Sequence, residues 1–291
     1  MFNISTFQHY LNHYLLTRFN LRLWWKEDKR HQTIQTEEWL ARRFELFERY
    51  TWPSVRSQTC QQFKWICLFD EQTPDHWKTR ICQYQEEWGG FIPVYCNRQQ
   101  TRYFREGFAH LAYKYADKND PVLLTTYLDN DDCLHREFVE DVQREAEKIP
   151  MKSVISYKYG LQYYEEMNLA VRIPYANNHF LSYVEPLAKD CKTVWGFWHF
   201  SIFKYKNLHV ELVNNKRKPM WIETIHKANI DNDVKMTLCH RPVLNKDGLR
   251  PYGIACELPS ATKSLMIFLG PFMLRLLRQV VRRGRNKLQP K

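Results

Sequence analysis

The stretch Val122-Leu123-Leu124-Thr125-Thr126-Tyr127-Leu128-Asp129-Asn130-Asp131-Asp132 runs from a compact apolar segment straight into three carboxylates within four residues. Its first seven residues have the length and the β-branched and aromatic content of a buried strand. A helix is expected over 134–149, where Leu134, Phe138, Val142, Ala146 and Ile149 fall near one face. The unit is therefore a strand, an acidic turn and a helix.

Working outward, the first 150 residues repeat that alternation. Strands are expected at 14–19, 63–69 and 91–95. Helices are expected at 36–50, 74–88 and 102–116, the first with Thr36 as N-cap and Trp39, Phe44 and Phe47 as apolar anchors. Strands alternating with helices imply an α/β fold, a Rossmann-like, mostly parallel sheet with helices on both faces. Ligands of such sheets sit beyond the carboxyl ends of the strands. That singles out Arg18 and Asn20, Asp70, and above all Asp129, Asn130, Asp131 and Asp132.

Clustered carboxylates repel one another, and a hard divalent cation relieves the repulsion. Mg²⁺ or Mn²⁺ takes one or two carboxylates together with substrate phosphate oxygens. The N-terminal amides of the helix that follows would favour a nearby anion. The bland reading is a helix start capped by Asp132. A second copy, Asp231-Asn232-Asp233, follows no apolar strand and reads as a polar turn.

Composition narrows the class. The 291 residues are 44% apolar and 15% aromatic, with 43 basic and 32 acidic side chains, which excludes a disordered chain. No internal period of repeat length is found, so a solenoid or propeller is not expected. The eight cysteines contain no C-x-x-C pair, which excludes the common zinc-finger spacings, and their wide, irregular gaps give no sign of a dense disulfide framework. No signal peptide and no bilayer-spanning apolar run is read, so a cytoplasmic protein is expected.

Eight of the eleven excess positive charges lie in residues 263–291, which hold no acidic residue. After Pro271, Met273, Leu276, Leu277 and Val280 mark one helical face, while Arg275, Arg278, Arg282 and Arg285 mark another, with Arg283 adjoining. A basic amphipathic C-terminal helix of this kind reads as a surface anchor on anionic lipid. The nearly neutral body argues against nucleic acid as the partner. The expected division is a body over 1–262 and a membrane-surface tail over 263–291.

Three further runs carry a resemblance. They are Pro53-Ser54-Val55-Arg56-Ser57-Gln58-Thr59, Phe63-Lys64-Trp65-Ile66-Cys67-Leu68-Phe69-Asp70, and Leu128-Asp129-Asn130-Asp131-Asp132-Cys133-Leu134-His135-Arg136-Glu137-Phe138. Their order and spacing resemble the GT-A glycosyltransferases, in particular the large inverting family. Arg18-Phe19-Asn20, the Asp-Asn-Asp-Asp cluster, and the late Trp221, His226 and Asn229 make the chain similar to the bacterial rhamnosyltransferase branch over roughly residues 10 to 230.

The resemblance implies a metal-dependent transferase using a nucleotide-sugar donor, with residues 1–150 binding the donor and 151–262 the acceptor. Arg18 and Asn20 belong to the donor site, Arg18 pairing with phosphate, and Asp70 lies near base or ribose. Asp129 faces the ribose or the metal. Asp131, with Asp132, holds the Mn²⁺ or Mg²⁺ that bridges the diphosphate, and His226 completes the metal or diphosphate site. The acceptor implied is a cell-surface or lipid-linked glycan at the inner membrane face, with rhamnose a candidate sugar. The acidic motif that supplies the general base in inverting relatives has no clear copy after residue 150. Glu165, Glu166, Glu185, Glu211 and Glu223 are all open for that role, each with surface exposure as the default. A sugar- or nucleotide-binding module of the same fold, with a decayed acceptor site, is the competing reading. The aromatics between Tyr157 and Trp221 suit an acceptor pocket and core packing equally.

Overall fold

The computed structural model describes residues 11–23, 33, 35–226 and 239–270. Strands β1 (Leu11–Arg18), β2 (Lys64–Asp70), β3 (Phe91–Cys96) and β4 (Val122–Tyr127) pair in parallel, with β1 between β2 and β4. β1, β2 and β4 are short, mostly apolar runs buried on both faces, as the centre of a parallel sheet requires, while β3 at the sheet edge is only partly buried. The sheet continues past β4. Within it, β6 (Ser153–Tyr157) and β10 (His209–Val213) run with the first four, and β9 (Leu181–Pro186) runs against them. The architecture is mixed α/β around a mostly parallel sheet, as the alternation implied.

A second sheet joins β5 (Cys133–Leu134), β7 (Tyr159–Tyr164), β8 (Leu169–Pro174), β11 (Trp221–Ile225) and β12 (Arg241–Pro242). Residues 151–226 thus contribute strands to both sheets, so the donor and acceptor halves expected on either side of residue 150 share one central sheet.

The helices are α1 (Glu37–Leu46), α2 (Trp52–Arg56), α3 (Asp75–Glu87), α4 (Arg98–Arg102), α5 (Phe104–Tyr115) and α6 (Phe138–Ala146). Thr36 caps α1, its hydroxyl accepting from the Trp39 N–H at 3.2 Å. A π-helical turn over Phe47–Thr51 carries α1 into α2. The helix expected from residue 134 begins at Phe138 instead. Cys133 and Leu134 pair antiparallel with Ile222 and Trp221, so the backbone stays extended there. Asp132 consequently caps no helix, and the α6 amides begin well beyond the acidic turn.

Most of the mid-chain aromatics are core: Tyr157, Tyr163, Tyr164, Tyr183 and Trp221 are buried. Trp221 stacks on Phe180 at 4.8 Å, and its indole N–H donates to the Tyr157 carbonyl at 2.8 Å. Gly160 makes this possible, because a Cβ there would fall 2.0 Å from the indole ring. All eight cysteines are free, most of them buried.

His13 of β1 is buried between the Thr126 hydroxyl (2.9 Å) and the Gln143 amide (3.2 Å). Burial lowers its pKa from 6.5 to about 3. The unfolded chain takes up a proton below 6.5 that the native state refuses, so stability should fall as pH drops from 6.5 toward 3. The expected slope is up to about 1.4 kcal/mol per pH unit, and urea midpoints of wild type and His13→Gln across pH 4 to 7 would check it. An equally steep decline in the variant would discount His13.

Candidate active site

The carboxyl ends of β1 and β4 open onto a cavity of about 330 Å³. Arg18, the last residue of β1, and Asp129 to Asp132, the turn after β4, line it together with Arg43, His179, Trp195 and His199. Parallel strands ending side by side make this arrangement, since the chain must turn away wherever the ladder stops.

Asp131 is buried, and its Oδ2 accepts from Arg43 Nη1 at 2.5 Å and meets His226 Nε2 at 2.9 Å. Burial resists ionisation, but the Arg43 guanidinium and His226 outweigh it and hold the carboxyl well below the usual carboxylate range. Arg43 comes from the buried side of α1, and its guanidinium also reaches Asn130 Oδ1 at 3.3 Å. Asn130 in turn donates to the Phe19 carbonyl at 2.9 Å, tying the acidic turn to the end of β1.

Asp132 is buried as well. Its Oδ1 accepts from the Thr224 N–H of β11 at 2.9 Å, and its Oδ2 lies 2.7 Å from His179 Nε2. Asp129 is half-buried, takes the Tyr127 hydroxyl on both oxygens at 3.0 Å, and lies 3.9 Å from His179 Nε2. Burial works against a charged His179, yet the Asp132 bond and the surrounding carboxylates raise its pKa from 6.5 to about 9. Among the described residues, ligand atoms of Asp129, Asp132 and His179 lie within 4.8 Å of one another. Two carboxylates can take a hard divalent cation such as Mn²⁺ or Mg²⁺, and an imidazole beside them suits Mn²⁺ better than Mg²⁺.

The residues singled out in sequence therefore split into three groups. Asp129 and Asp132 converge with His179. Asp131 and His226 converge with each other and with Arg43. Asn20 and Asp70 face a smaller adjoining cavity of about 170 Å³. There the Asn20 carboxamide accepts from the Asp70 N–H and donates to Thr73 Oγ1, both at 3.0 Å. Asp70 Oδ1 takes the Gln72 N–H at 2.7 Å, and its Oδ2 lies 3.5 Å from Arg22 Nε. Arg275, Arg278, Arg282, Arg283 and Arg285, with Asn229 and the Asp231 to Asp233 triplet, lie outside the described residues.

Arg18 is braced by aromatic faces, its guanidinium carbon 4.5 Å from the Trp195 ring and 5.2 Å from that of Phe104. Its Nε is buried without a hydrogen-bond partner among the described residues. Trp195 is held by a loop that departs from ordinary backbone geometry, with Thr193 at φ +57°. Buried Glu185 of β9 secures that loop. Its carboxylate accepts from the Lys192 N–H at 3.1 Å and the Thr193 N–H at 2.8 Å, while the Val194 N–H donates to Thr125 Oγ1 at 2.8 Å. Replacing Glu185 by Gln puts an amide donor against two backbone donors. It should speed amide exchange at residues 191–196 about tenfold and lower stability by about 1–3 kcal/mol, with β4 amides unaffected. Unchanged exchange in the loop would remove Glu185 as its brace.

Glu185 and Glu223 are thus buried, contrary to the exposure taken as default. Glu223 accepts from Gln162 Nε2 at 2.7 Å, and Glu165 takes the Tyr50 hydroxyl at 3.0 Å along with Arg42 and Arg49. None of the five glutamates lines the larger cavity. Sequence reading missed His179 and Arg43, and left Trp195 among the aromatics that suited pocket and core equally. His179 ends the polar run Asn177-Asn178-His179 between two apolar strands, a signal that was available. Arg43 has the spacing of an ordinary helix-surface arginine, and nothing local marks it out.

The family model described as "Putative rhamnosyl transferase" matches residues 12–238. No curated protein matches the chain. Among solved structures, S. aureus TarS 1-349 aligns at a TM-score of 0.41 and 10% identity over 73% of this chain and 60% of that one. The same TarS fragment in complex with UDP gives 0.41 and 10% over 74% and 60%. The apo form of mouse Xyloside xylosyltransferase 1 gives 0.30 and 10% over 51% and 53%. The chain spans about 60% of the length of the TarS fragments it matches.

Proposed function

Because the chain belongs to the rhamnosyl transferase family, a family of glycosyltransferases, we propose that it moves a sugar from a nucleotide-sugar donor to a glycan or lipid-linked glycan acceptor. The family's name makes rhamnose the first sugar to test. One observation carries the reading: Asp129, Asp132 and His179 converge beside Arg18 at the carboxyl ends of β4 and β1.

In this reading Asp129, Asp132 and His179 hold a divalent cation. Such an ion supplies positive charge to the departing diphosphate. Arg18, clamped by Trp195 and Phe104, offers its guanidinium to the diphosphate oxygens. Asp131, Arg43 and His226 fix the shape of the turn through their bonds to one another, and the smaller cavity at Asn20 and Asp70 takes ribose or base.

Work at the inner face of the cell membrane belongs to the same proposal. Among the described residues no helix is long and apolar enough to cross a membrane. What supports surface contact is the charge of residues 263–291. Residues 261–270 are helical and Phe268 packs into the main core, so the proposed tail departs from a point fixed to the body.

Calorimetric titration with a panel of nucleoside diphosphates, with and without Mn²⁺ or Mg²⁺, tests the donor site. Binding of one nucleotide only with metal is the expected result, and no binding of any would overturn it. Nucleotide binding with no turnover of any nucleotide sugar would favour the decayed module.

A further inference from the structure

Residues His199–Lys204 form a 3-10 turn at the lip of the larger cavity. Ile202, fully buried, pins it to the body, and Asn177 Nδ2 donates to the Phe200 carbonyl at 3.2 Å. The Tyr205 hydroxyl accepts from the Trp198 N–H at 3.2 Å and closes the segment. Residues three apart eclipse in such a turn, so Phe200 and Phe203 stand on the same side. Both face solvent, at 49% and 46% exposure, and Trp198 and Tyr205 beside them are 52% and 39% exposed.

Four large aromatics half in water within eight residues call for a partner. The charge around them says which kind. From Cys191 to His209 there are three lysines, all exposed, and no acidic residue. The carboxylates that share the cavity with Trp198 and Phe200 belong to the turn after β4, and Phe203 and Tyr205, outside the cavity lining, have no carboxylate within residues 191–209 to accept from sugar hydroxyls. Aromatic rings with an apolar body, framed by lysines, instead match the boundary of an anionic bilayer. The same chain carries a second concentration of positive charge without acid in residues 263–291.

We propose that the ridge from Trp198 to Tyr205 inserts into an anionic lipid surface and presents the cavity mouth to an acceptor carried in that lipid. The second half of this statement rests on the transferase reading; the first half does not. Trp198 and Phe200 line the cavity as well as the ridge, so a glycan head can enter the site while its apolar anchor stays in the bilayer.

The test uses the full chain and vesicles of phosphatidylcholine with about one-third phosphatidylglycerol, floated at low and high salt. At 0.5 M NaCl the screening length falls to about 4 Å, which removes most of the contribution of the basic tail and leaves ring insertion. Wild type should retain partitioning at high salt. Phe203→Ser should lower that remainder about tenfold, and Phe203→Leu should keep most of it. Phe203 is not a cavity residue, so metal-dependent nucleotide binding should be the same in all three.

Equal partitioning of Phe203→Ser and wild type would overturn the proposal, as would complete release of wild type at high salt. Loss of nucleotide binding along with vesicle binding would make the ridge part of the fold and overturn it too. Loss of binding to a soluble glycan, with vesicles unaffected, would assign the ridge to carbohydrate instead. Absence of nucleotide binding in every chain, with the vesicle results as expected, would overturn the transferase reading and leave the lipid surface standing.

Discussion

Asp132→Asn and His179→Ala should each abolish metal-dependent nucleotide binding while leaving the fold intact. Loss of an outer-shell partner typically lowers metal affinity roughly 10–100-fold, and loss of a direct ligand should exceed that. Asparagine keeps the shape of Asp132 and can still accept the Thr224 N–H that the carboxylate takes at 2.9 Å, so β11 should stay in register. His179 lies in the loop before β9 and leaves no ladder bond broken when truncated. Titration calorimetry of nucleoside diphosphate with Mn²⁺, beside circular dichroism, reads both outcomes. Chelation of metal from wild type should reproduce the variants. Wild-type affinity in either folded variant would remove that residue from the cation site.

Asp131→Ala should behave differently, because its carboxylate answers the buried Arg43 guanidinium, which cannot shed its charge as the His179 imidazole can. Arg43 is as enclosed as Asp131, and the two meet at 2.5 Å with His226 on the same oxygen. Removing one partner of a buried pair leaves the other's desolvation uncompensated, at a cost of about 3–5 kcal/mol. The expected result is a large drop in the urea midpoint, with nucleotide binding lost through the fold. Arg43→Met combined with Asp131→Leu should recover much of the stability, since a matched apolar pair carries no desolvated charge. A single Asp131→Ala variant as stable as wild type, yet unable to bind metal, would make Asp131 a ligand after all. The contrast between Asp131 and Asp132, neighbours in sequence, is the sharpest test of the site as drawn.

How much of this was legible from residues alone depends on the distance over which the information travels. The parallel core of β1 to β4 was readable because hydrophobic periodicity and capping are local. Thr36 three residues before Trp39, or Val122 to Tyr127 before an acidic turn, carry their meaning within one turn or one strand. The start of α6 was misplaced because Leu134 answers to Trp221, a strand partner far along the chain, and pairing overrode local helical spacing.

The sequence by itself determined where the strands end and that Arg18, Asp70 and the Asp129 to Asp132 turn gather at those ends. Only the tertiary structure decided which carboxylate meets which base. Asp132 finds His179 47 residues away, and Asp131 finds Arg43 and His226 at separations of 88 and 95. Successive side chains of a turn point to different sides of the backbone, so adjacent aspartates reach different neighbours. Those neighbours are set by how α1, β11 and the loop before β9 pack around the sheet, which no local pattern of residues specifies.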